Sequence, residues 1–392
     1  MTEKKRIGFQ SKAKKALLIS GVFICFLLLF VFKVHDEMKD FEVYYKSGKR
    51  LRMAENLYQT KDEHYMFKYP PPSSVLFVPM SFLPLKVAKA AWYYVVILCL
   101  FSLVFLSYKM IPENKINPLY LKIIPPLILA KLMLREIQLG QVNALITLIL
   151  LLMIANISSE KNRASSRNQA LSGIYWGLAT ILKPYALIFL PYFLLKRKWK
   201  TILSGLGFIG FSSFIPALFY GISGNIWIFK QWISTLSQST PSLITSQDNI
   251  SLLAFFMKWS GNMNISLVGF GLILSVLAVC VLIVIEKGKT IPHASLLDCS
   301  ILLILIPLIS PLGWDYILLM SVAGVMIVVN HYHSFPYFWR GMMIFNFSII
   351  AFSLYDLMER QMYATFMSWS VLTINFLIII GYLFYLRIKK II

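Results

Sequence analysis

Charged side chains are scarce in this 392-residue chain, and acidic ones are the scarcest. Only 14% of the residues are charged and 58% are hydrophobic, whereas about a quarter of an ordinary soluble domain is charged. This composition excludes a soluble globular protein. Apolar runs long enough to cross a bilayer recur along the chain, which argues against a nucleic-acid binder despite a net charge of +21. We interpret the basic excess as loop charge that orients membrane helices.

The chain is also poor in residues that build disulfides or metal sites. Its four cysteines lie far apart, in or beside apolar runs, which predicts reduced thiols. Its five histidines form no HExxH or similar pair, so we expect no metal site. The sequence has no Walker sequence and no paired DxD, which argues against an ATP-driven pump and a processive nucleotide-sugar synthase.

Apolar segments are abundant, and they predict an all-α polytopic membrane protein. A basic segment (1–15) precedes a first span, Ala16–Phe32, whose N-terminus is expected inside. The other predicted spans are about Ala90–Ile111, Pro118–Leu134, Val142–Ile157, Leu171–Leu195, Ile202–Ile222, Ile265–Ile285, Ser295–Ile309, Tyr316–Val329, Met342–Leu354 and Ala364–Leu386. Together with the half-length Ser73–Leu83, this gives about twelve transmembrane helices or half-helices in a single domain, 1–392.

The tract Leu171–Leu195 has two possible interpretations, because Lys183-Pro184 interrupts its middle and bases flank both ends. If both flanks lie inside, the tract is a re-entrant hairpin whose turn faces outward. If Ser73–Leu83 crosses the membrane instead, the tract is one broken span. Either count places the C-terminal tail, 387–392, in the cytoplasm.

This orientation sorts the polar residues by side. The loops 34–72 and 223–264 and the turn Ser310–Asp315 are predicted outside, whereas Lys287 and Lys289 mark an inside loop. Most acidic residues then fall outside: Asp36, Glu37, Asp40, Glu42, Glu55, Asp62, Glu63, Asp248, Asp315, Asp356 and Glu359. We therefore expect an outward-facing site in a multi-pass protein of the plasma (inner) membrane with both termini cytoplasmic.

Two aspartates stand directly after the first span. The spacing of Asp36 and Asp40 would put both carboxylates on one face of a helix. Partial desolvation raises a carboxyl pKa towards working pH, which suits a general base acting on a hydroxyl. The alternative is that both acids only balance nearby bases on a solvated juxtamembrane helix.

Polar residues also stand where apolar tracts begin. Tyr69 precedes three prolines, which form an extended strut or start a helix. Gln141 and Asn143 open a span, where they bind a sugar or a lipid headgroup or cap the helix.

Three further residues lie at breaks in apolar tracts. Lys183 costs at least about 2.5–3 kcal/mol inside a membrane, so it either has a partner such as phosphate or snorkels to an interface. Trp314 stands beside Asp315 on the outer side. An indole there stacks on a sugar ring or serves as an interfacial anchor.

The order of these elements resembles glycosyltransferase family 87 (DUF2029), the polyprenol-phosphate-mannose-dependent mannosyltransferases with the GT-C fold. The matching segments are, in order, Asp40-Phe41-Glu42-Val43-Tyr44-Tyr45, Tyr69-Pro70-Pro71, Gly140-Gln141-Val142-Asn143, Gly173…Gly177…Lys183-Pro184, Lys196-Arg197-Lys198-Trp199-Lys200, Asn249-Ile250-Ser251-Leu252 and Ser310-Pro311…Trp314. The resemblance covers about residues 15–330. It departs from the family after the last segment, where relatives often carry a histidine and this chain has Asp315 and Tyr316.

The resemblance implies transfer of a hexose, usually mannose, from a polyprenyl-phosphate carrier to a lipid-linked or cell-envelope glycan on the outer face, with inversion. It implies Asp40 as general base and no cofactor. Candidates to bind the donor phosphate are Lys183 first, then Arg50, Arg52 and Lys68. Candidates to bind substrate are Asp36, Tyr69, Gln141, Asn143, Asn249, Trp314 and Asp315. The expected partners are donor, acceptor and membrane lipids, with no nucleic acid.

Two other functional classes compete with this interpretation. A transporter or lipid-linked glycan flippase would share the size, the inside termini and Lys183. It would also show related halves and polar residues near the midplane of several spans, whereas here no repeat is found and the acids collect on one side. A glycan polymerase or ligase would normally carry its large external loop later than 34–72.

Overall fold

A computed structural model describes residue 21 and residues 24–158, 166–287 and 294–391 of the chain. These residues form helices and turns without a β-strand, and one isolated antiparallel bridge joins Asn249 and Trp314. The all-α prediction is confirmed. The basic tail, the first part of the first predicted span (16–20, with 22 and 23) and Lys289 lie outside the described residues.

Seventeen helices follow one another in the described ranges. The first nine are α1 (Ile24–Val34), α2 (Lys39–Arg52), α3 (Leu85–Met110), α4 (Pro118–Ile128), α5 (Ala130–Leu139), α6 (Asn143–Ser158), α7 (Ser166–Leu182), α8 (Phe189–Leu195) and α9 (Trp199–Phe214). The others are α10 (Ala217–Ser239), α11 (Leu252–Ser260), α12 (Met263–Lys287), α13 (Ala294–Ile309), α14 (Val322–Asn330), α15 (Tyr337–Phe352), α16 (Tyr355–Ser368) and α17 (Val371–Ile388). Short 3₁₀ segments lie at Thr60–Tyr65, Pro71–Phe77, Pro79–Phe82, Pro184–Ile188, Pro241–Leu243, Asp315–Ser321 and Tyr332–Ser334.

Three of these helices, α3, α12 and α17, are long and apolar enough to cross a membrane. The pairs α9–α10 and α15–α16 also qualify, although they bend by 97° and 100°, and counting each pair as one span raises the number to five. Other apolar helices are shorter. The 16 residues of α13 extend about 24 Å, less than the ~30 Å of a hydrocarbon core. The membrane character is supported, and the count of about twelve stays a prediction.

Two predicted spans are wrong in their continuity. Ile202–Ile222 is not one rod, because α9 ends at Phe214 and the chain turns into α10, where Gly221 has a φ of +69°. The predicted Ala364–Leu386 is divided at Ser370, whose φ is +55°. A single left-handed residue redirects the backbone without changing local hydropathy, so hydropathy alone cannot reveal either bend.

The tract around Lys183 folds back on itself. Trp176 Nε1 in α7 donates to the carbonyl of Ala186 at 2.8 Å, and the Trp176 ring lies 5.3 Å from that of Phe193 in α8. A continuous helix would separate residues 176 and 193 by about 25 Å. The chain therefore reverses at Lys183, where the backbone is extended with a φ of −147°. This is the geometry of the re-entrant hairpin and not of one broken span.

Lys196 and Arg387, both predicted inside, meet at one carboxylate. Asp298 in α13 pairs with Arg387 at 3.1 Å and with Lys196 at 3.7 Å. The Asn330 side chain joins the segment 113–115 through hydrogen bonds of 2.8 and 2.9 Å. Along α13, Asp298 stands about 18 Å from the turn at Ser310, which was predicted outside. Lys196 and Arg387, predicted inside, thus lie away from a turn that was predicted outside, and the membrane topology itself stays a prediction.

Glycines allow α7 and α9 to approach closely and hold the hairpin in place. A Cβ at Gly173 would lie 2.2 Å from the carbonyl oxygen of Thr201, and one at Gly205 would lie 2.3 Å from the Trp176 ring. Such close backbone contact through small residues is a common way for membrane helices to associate. The position of Lys183 therefore depends on the α7–α9 contact.

Replacing Gly205 by alanine is expected to destabilise the protein, because the added methyl group overlaps the Trp176 ring. We expect a loss of about 1–3 kcal/mol, seen as a lower Tm in detergent micelles. Gly207 lies on the same helix, and a Cβ added there would have no neighbouring atom within 4 Å. Gly207→Ala should therefore leave the Tm unchanged or raise it slightly through helix propensity. Equal Tm values for the two variants would contradict the proposed α7–α9 contact.

Candidate active site

Helix α2 forms one wall of the candidate site and packs closely on the segment after Tyr69. A Cβ at Gly48 would lie 2.4 Å from the carbonyl oxygen of Phe77, so only glycine fits there without a shift. The Tyr44 ring stacks on Phe77 at 4.7 Å. The proline run starts the 3₁₀ segment Pro71–Phe77. The helix-start interpretation of these prolines is confirmed.

Gly140 places the next segment against the first turn of α2. It ends α5 in the left-handed conformation, with a φ of +67°, and its carbonyl accepts a hydrogen bond of 2.8 Å from Trp92 Nε1. A Cβ at this position would lie 2.8 Å from Phe41 and 2.9 Å from Met38. Both the backbone conformation and the close approach favour glycine, and Gln141 follows directly beside α2.

Gln141 is the centre of a buried hydrogen-bond network. Its Nε2 donates to Asp40 Oδ2 at 2.6 Å and to the Tyr316 hydroxyl at 3.3 Å. Its Oε1 accepts from the Tyr44 hydroxyl at 2.7 Å and from Lys183 Nζ at 3.3 Å. The amide has distinct donor and acceptor ends, so these partners fix its orientation. One side chain thus joins a carboxylate on α2 to an ammonium on the hairpin.

Lys183 enters this network from the turn of the hairpin. Its Nζ donates to Asn143 Oδ1 at 2.7 Å and lies 4.9 Å from the centroid of the Tyr69 ring. The centroid of the Tyr185 ring lies 6.0 Å from Nζ, and the Tyr185 hydroxyl donates to the same Asn143 oxygen at 3.2 Å. Only 5% of Lys183 is exposed. Amide oxygens and aromatic faces therefore stabilise the ammonium, and Lys183 does not snorkel to solvent.

Glu136 is a site residue that the sequence did not reveal. It is fully buried and accepts hydrogen bonds from Asn143 Nδ2 at 2.9 Å and from the backbone N–H of Ala144 at 2.7 Å. Burial raises the pKa of the Glu136 carboxyl, while these hydrogen bonds and the charge of Lys183 oppose the shift. A carboxylate four residues before Gly140, within a largely apolar tract, was the available clue.

A second polar cluster adjoins the Gln141 network. Asp315 is buried and pairs with Lys131 at 3.3 Å, and Lys131 Nζ donates to the Tyr363 hydroxyl at 3.1 Å. Tyr316, the next residue along, reaches Gln141. Where the family resemblance leads one to expect a histidine, the chain thus has a buried phenol in contact with the central amide.

The network contains Asp40, Tyr69, Gln141, Asn143 and Lys183, all of which were predicted site residues. Tyr69 joins it through a hydrogen bond of 3.0 Å between its hydroxyl and the Tyr44 hydroxyl. These residues come from segments separated by up to 143 positions, so sequence distance concealed their proximity.

Lys68 also lies within the electrostatic influence of Asp40. It is half-buried, and burial lowers the pKa of its ammonium, while the Asp40 charge acts in the opposite direction. The assignment of Lys68 to the donor phosphate stays a prediction.

Three predicted residues have other partners. The Asp36 side chain is 85% exposed, precedes the start of α2 and pairs with His35 at 3.1 Å, so it does not share a helical face with Asp40. Arg50 makes a two-pronged ion pair with Asp62. The Arg52 guanidinium lies 4.3 Å from the centroid of the Phe82 ring. Arg50 and Arg52 therefore attach α2 to the segments that follow it.

Asn249 and Trp314 join the two predicted outer loops. Asn249 Nδ2 donates to the carbonyl of Pro311 and its Oδ1 accepts from the N–H of Gly313, both at 3.0 Å, while its backbone bridges Trp314. Asn249 is fully buried, and both ends of its amide bind protein. These contacts give Asn249 a structural role, and its predicted contact with substrate stays a prediction.

The family model for glycosyltransferase family 87 matches residues 67–311, more than half of the chain. The chain belongs to glycosyltransferase family 87. It is therefore a glycosyltransferase, and the match includes Tyr69, Gln141, Asn143 and Lys183, whereas Asp40 precedes it. No curated protein matches the sequence, and no solved structure matches the chain.

Tyr44→Phe tests whether the Gln141 network serves sugar transfer. The variant removes the hydroxyl that contacts Gln141 and Tyr69, a loss of about 1–1.5 kcal/mol, so transfer should slow about tenfold. Tyr45→Phe is the matched control, since its hydroxyl donates to the carbonyl of Leu83, away from Gln141. Equal transfer rates for both variants, measured at equal protein levels, would argue against this role.

Proposed function

We propose that this glycosyltransferase transfers a hexose, with mannose as the first candidate, from a polyprenyl-phosphate carrier to a hydroxyl group of a lipid-linked or cell-envelope glycan. The reaction takes place at the outer face of the plasma membrane and inverts the anomeric centre. The observation that carries this proposal is the joining of Asp40 and Lys183 through Gln141 in one partly buried site.

Asp40 acts as the general base in this proposal. Gln141 orients its carboxylate at the start of α2, where the side chain is half-buried. As the acceptor oxygen forms its bond to the anomeric carbon, Asp40 takes the hydroxyl proton. The bond from the anomeric carbon to the phosphate oxygen breaks on the opposite face of the sugar, and a single displacement of this kind inverts the centre.

Lys183 stabilises the leaving group. When the sugar departs, the carrier phosphate gains a negative charge, and an ammonium already fixed in a buried site stabilises that charge without reorganisation. Lys68, on the loop before Tyr69, is a second cation for this role. The reaction needs only a base for the nucleophile and a cation for the phosphate, and the site contains both.

The family's GT-C architecture and the count of about twelve spans belong to the same proposal. Its support is the separation of the residue sets, with the Asp40–Lys183 network at one end and the Lys196–Asp298–Arg387 cluster at the other. Membership in a transferase family favours this proposal over the transporter and flippase alternative.

Asp40→Asn should reduce transfer at least about 100-fold, because the amide cannot take a proton. The assay supplies radiolabelled polyprenyl-phosphate hexose to membranes that contain the protein and measures label in the acceptor fraction. Asp356→Asn, a change at an exposed acid on α16, should keep the wild-type rate. Transfer that persists in Asp40→Asn at an unchanged protein level would refute the base assignment, and uptake without transfer would support a transporter.

Lys183→Met should lower the transfer rate about 100-fold, since it removes a cation from the departing phosphate. Methionine retains most of the aliphatic stem, so the packing against Tyr69 and Tyr185 is largely kept. Lys86→Met provides the control, because Lys86 is exposed at the start of α3. An unchanged rate in Lys183→Met would exclude Lys183 from donor activation.

A further inference from the structure

Glu136 is linked to Lys183 through a single amide. Its Oε2 accepts from Asn143 Nδ2 at 2.9 Å, and Asn143 Oδ1 accepts from Lys183 Nζ at 2.7 Å. An ionised carboxylate only accepts hydrogen bonds, so Nδ2 of Asn143 must face Glu136 and its oxygen must face Lys183. The second carboxylate oxygen accepts from the N–H of Ala144 at 2.7 Å, which fixes Glu136 itself.

The charges around Lys183 make this link important during transfer. The carboxylates whose charges act on Lys183 are Glu136 and Asp40. The other side chains that surround them are the neutral amides Gln141 and Asn143, the phenols Tyr44, Tyr69, Tyr185 and Tyr316, and Lys68, which faces Asp40. When Asp40 takes the acceptor proton, its negative charge is lost. Glu136 then remains as the counter-charge of the ammonium.

We infer that Glu136 is a positioning residue, which orients the Asn143 oxygen towards Lys183 and holds the ammonium in its charged form while sugar is transferred. This inference rests on the proposed function, because it assumes that Lys183 meets the departing phosphate. Glu136 touches neither the reacting atoms nor the sugar in this scheme. It acts through Asn143, one hydrogen bond away from Lys183.

Glu136→Gln tests the inference through the pH dependence of transfer. The variant keeps the shape and removes the negative charge, so the Lys183 ammonium should release its proton more readily. We expect the alkaline limb of the rate profile to move to lower pH by about one unit, with about tenfold slower transfer on that limb and a smaller loss near pH 6.5. Glu113→Gln changes an exposed glutamate at the other end of the fold and should keep the wild-type profile.

A double variant that moves the negative charge from position 136 to position 143 separates electrostatics from packing. In Glu136→Gln/Asn143→Asp, the new amide at 136 donates to the new carboxylate at 143 and still accepts from the N–H of Ala144. The charge is restored directly beside Lys183. We expect the alkaline limb to return to at least its wild-type position, even where the maximal rate stays reduced.

The outcomes distinguish the inference from the function on which it rests. Wild-type membranes that transfer no hexose would refute the proposed function. If the wild-type protein transfers hexose and Glu136→Gln has the same rate and pH profile, the inference is refuted and the proposed function is not. A shift in Glu136→Gln that the double variant does not reverse would also refute it, since such a shift would come from altered packing. If Glu136→Gln does not accumulate, the profile of the double variant decides alone, and an alkaline limb below the wild-type position refutes the inference.

Discussion

The arrangement of the candidate site depends on the burial of one ammonium group. A lysine removed from water in an apolar region is stable only where oxygen atoms and negative charges surround it. Lys183 obtains them from Gln141 and Asn143, and these amides are in turn oriented by Asp40 and Glu136. The requirement to satisfy a single cation therefore determines the orientation of several polar side chains drawn from α2, α5, α6 and the hairpin.

Glycine and aromatic contacts provide the framework for this network. Gly48 and Gly140 allow backbone segments to approach α2, while Gly173 and Gly205 bring α7 against α9. Each contact excludes a side chain at a position where its Cβ would overlap a neighbour. The polar network is thus held by close packing outside it, and its own hydrogen bonds need only select the orientation of each amide.

The sequence predicted some of this site and not the rest, for identifiable reasons. Lys183 and Asp40 were found because a charge within or beside an apolar run is conspicuous. Glu136 was missed because its partners, Asn143 and Ala144, lie beyond a turn whose left-handed Gly140 brings them back towards it. The bend at Gly221 and the break at Ser370 leave no mark in hydropathy. Asn249 looked like a free amide, and only the fold shows that the 311–313 turn occupies it.

The length of the hairpin arm has a consequence for how substrate reaches the site. The 17 residues of α7 extend about 25 Å, against a hydrocarbon core of ~30 Å. With α7 starting at the inner interface, as the charge pattern predicts, the turn at Lys183 comes close to the depth at which lipid phosphate groups lie in the far leaflet. In the proposed reaction, a carrier lipid can present its phosphate there while its tail stays in the bilayer. Its search for the enzyme is then a two-dimensional diffusion within the leaflet, and only the acceptor hydroxyl has to approach from the aqueous side.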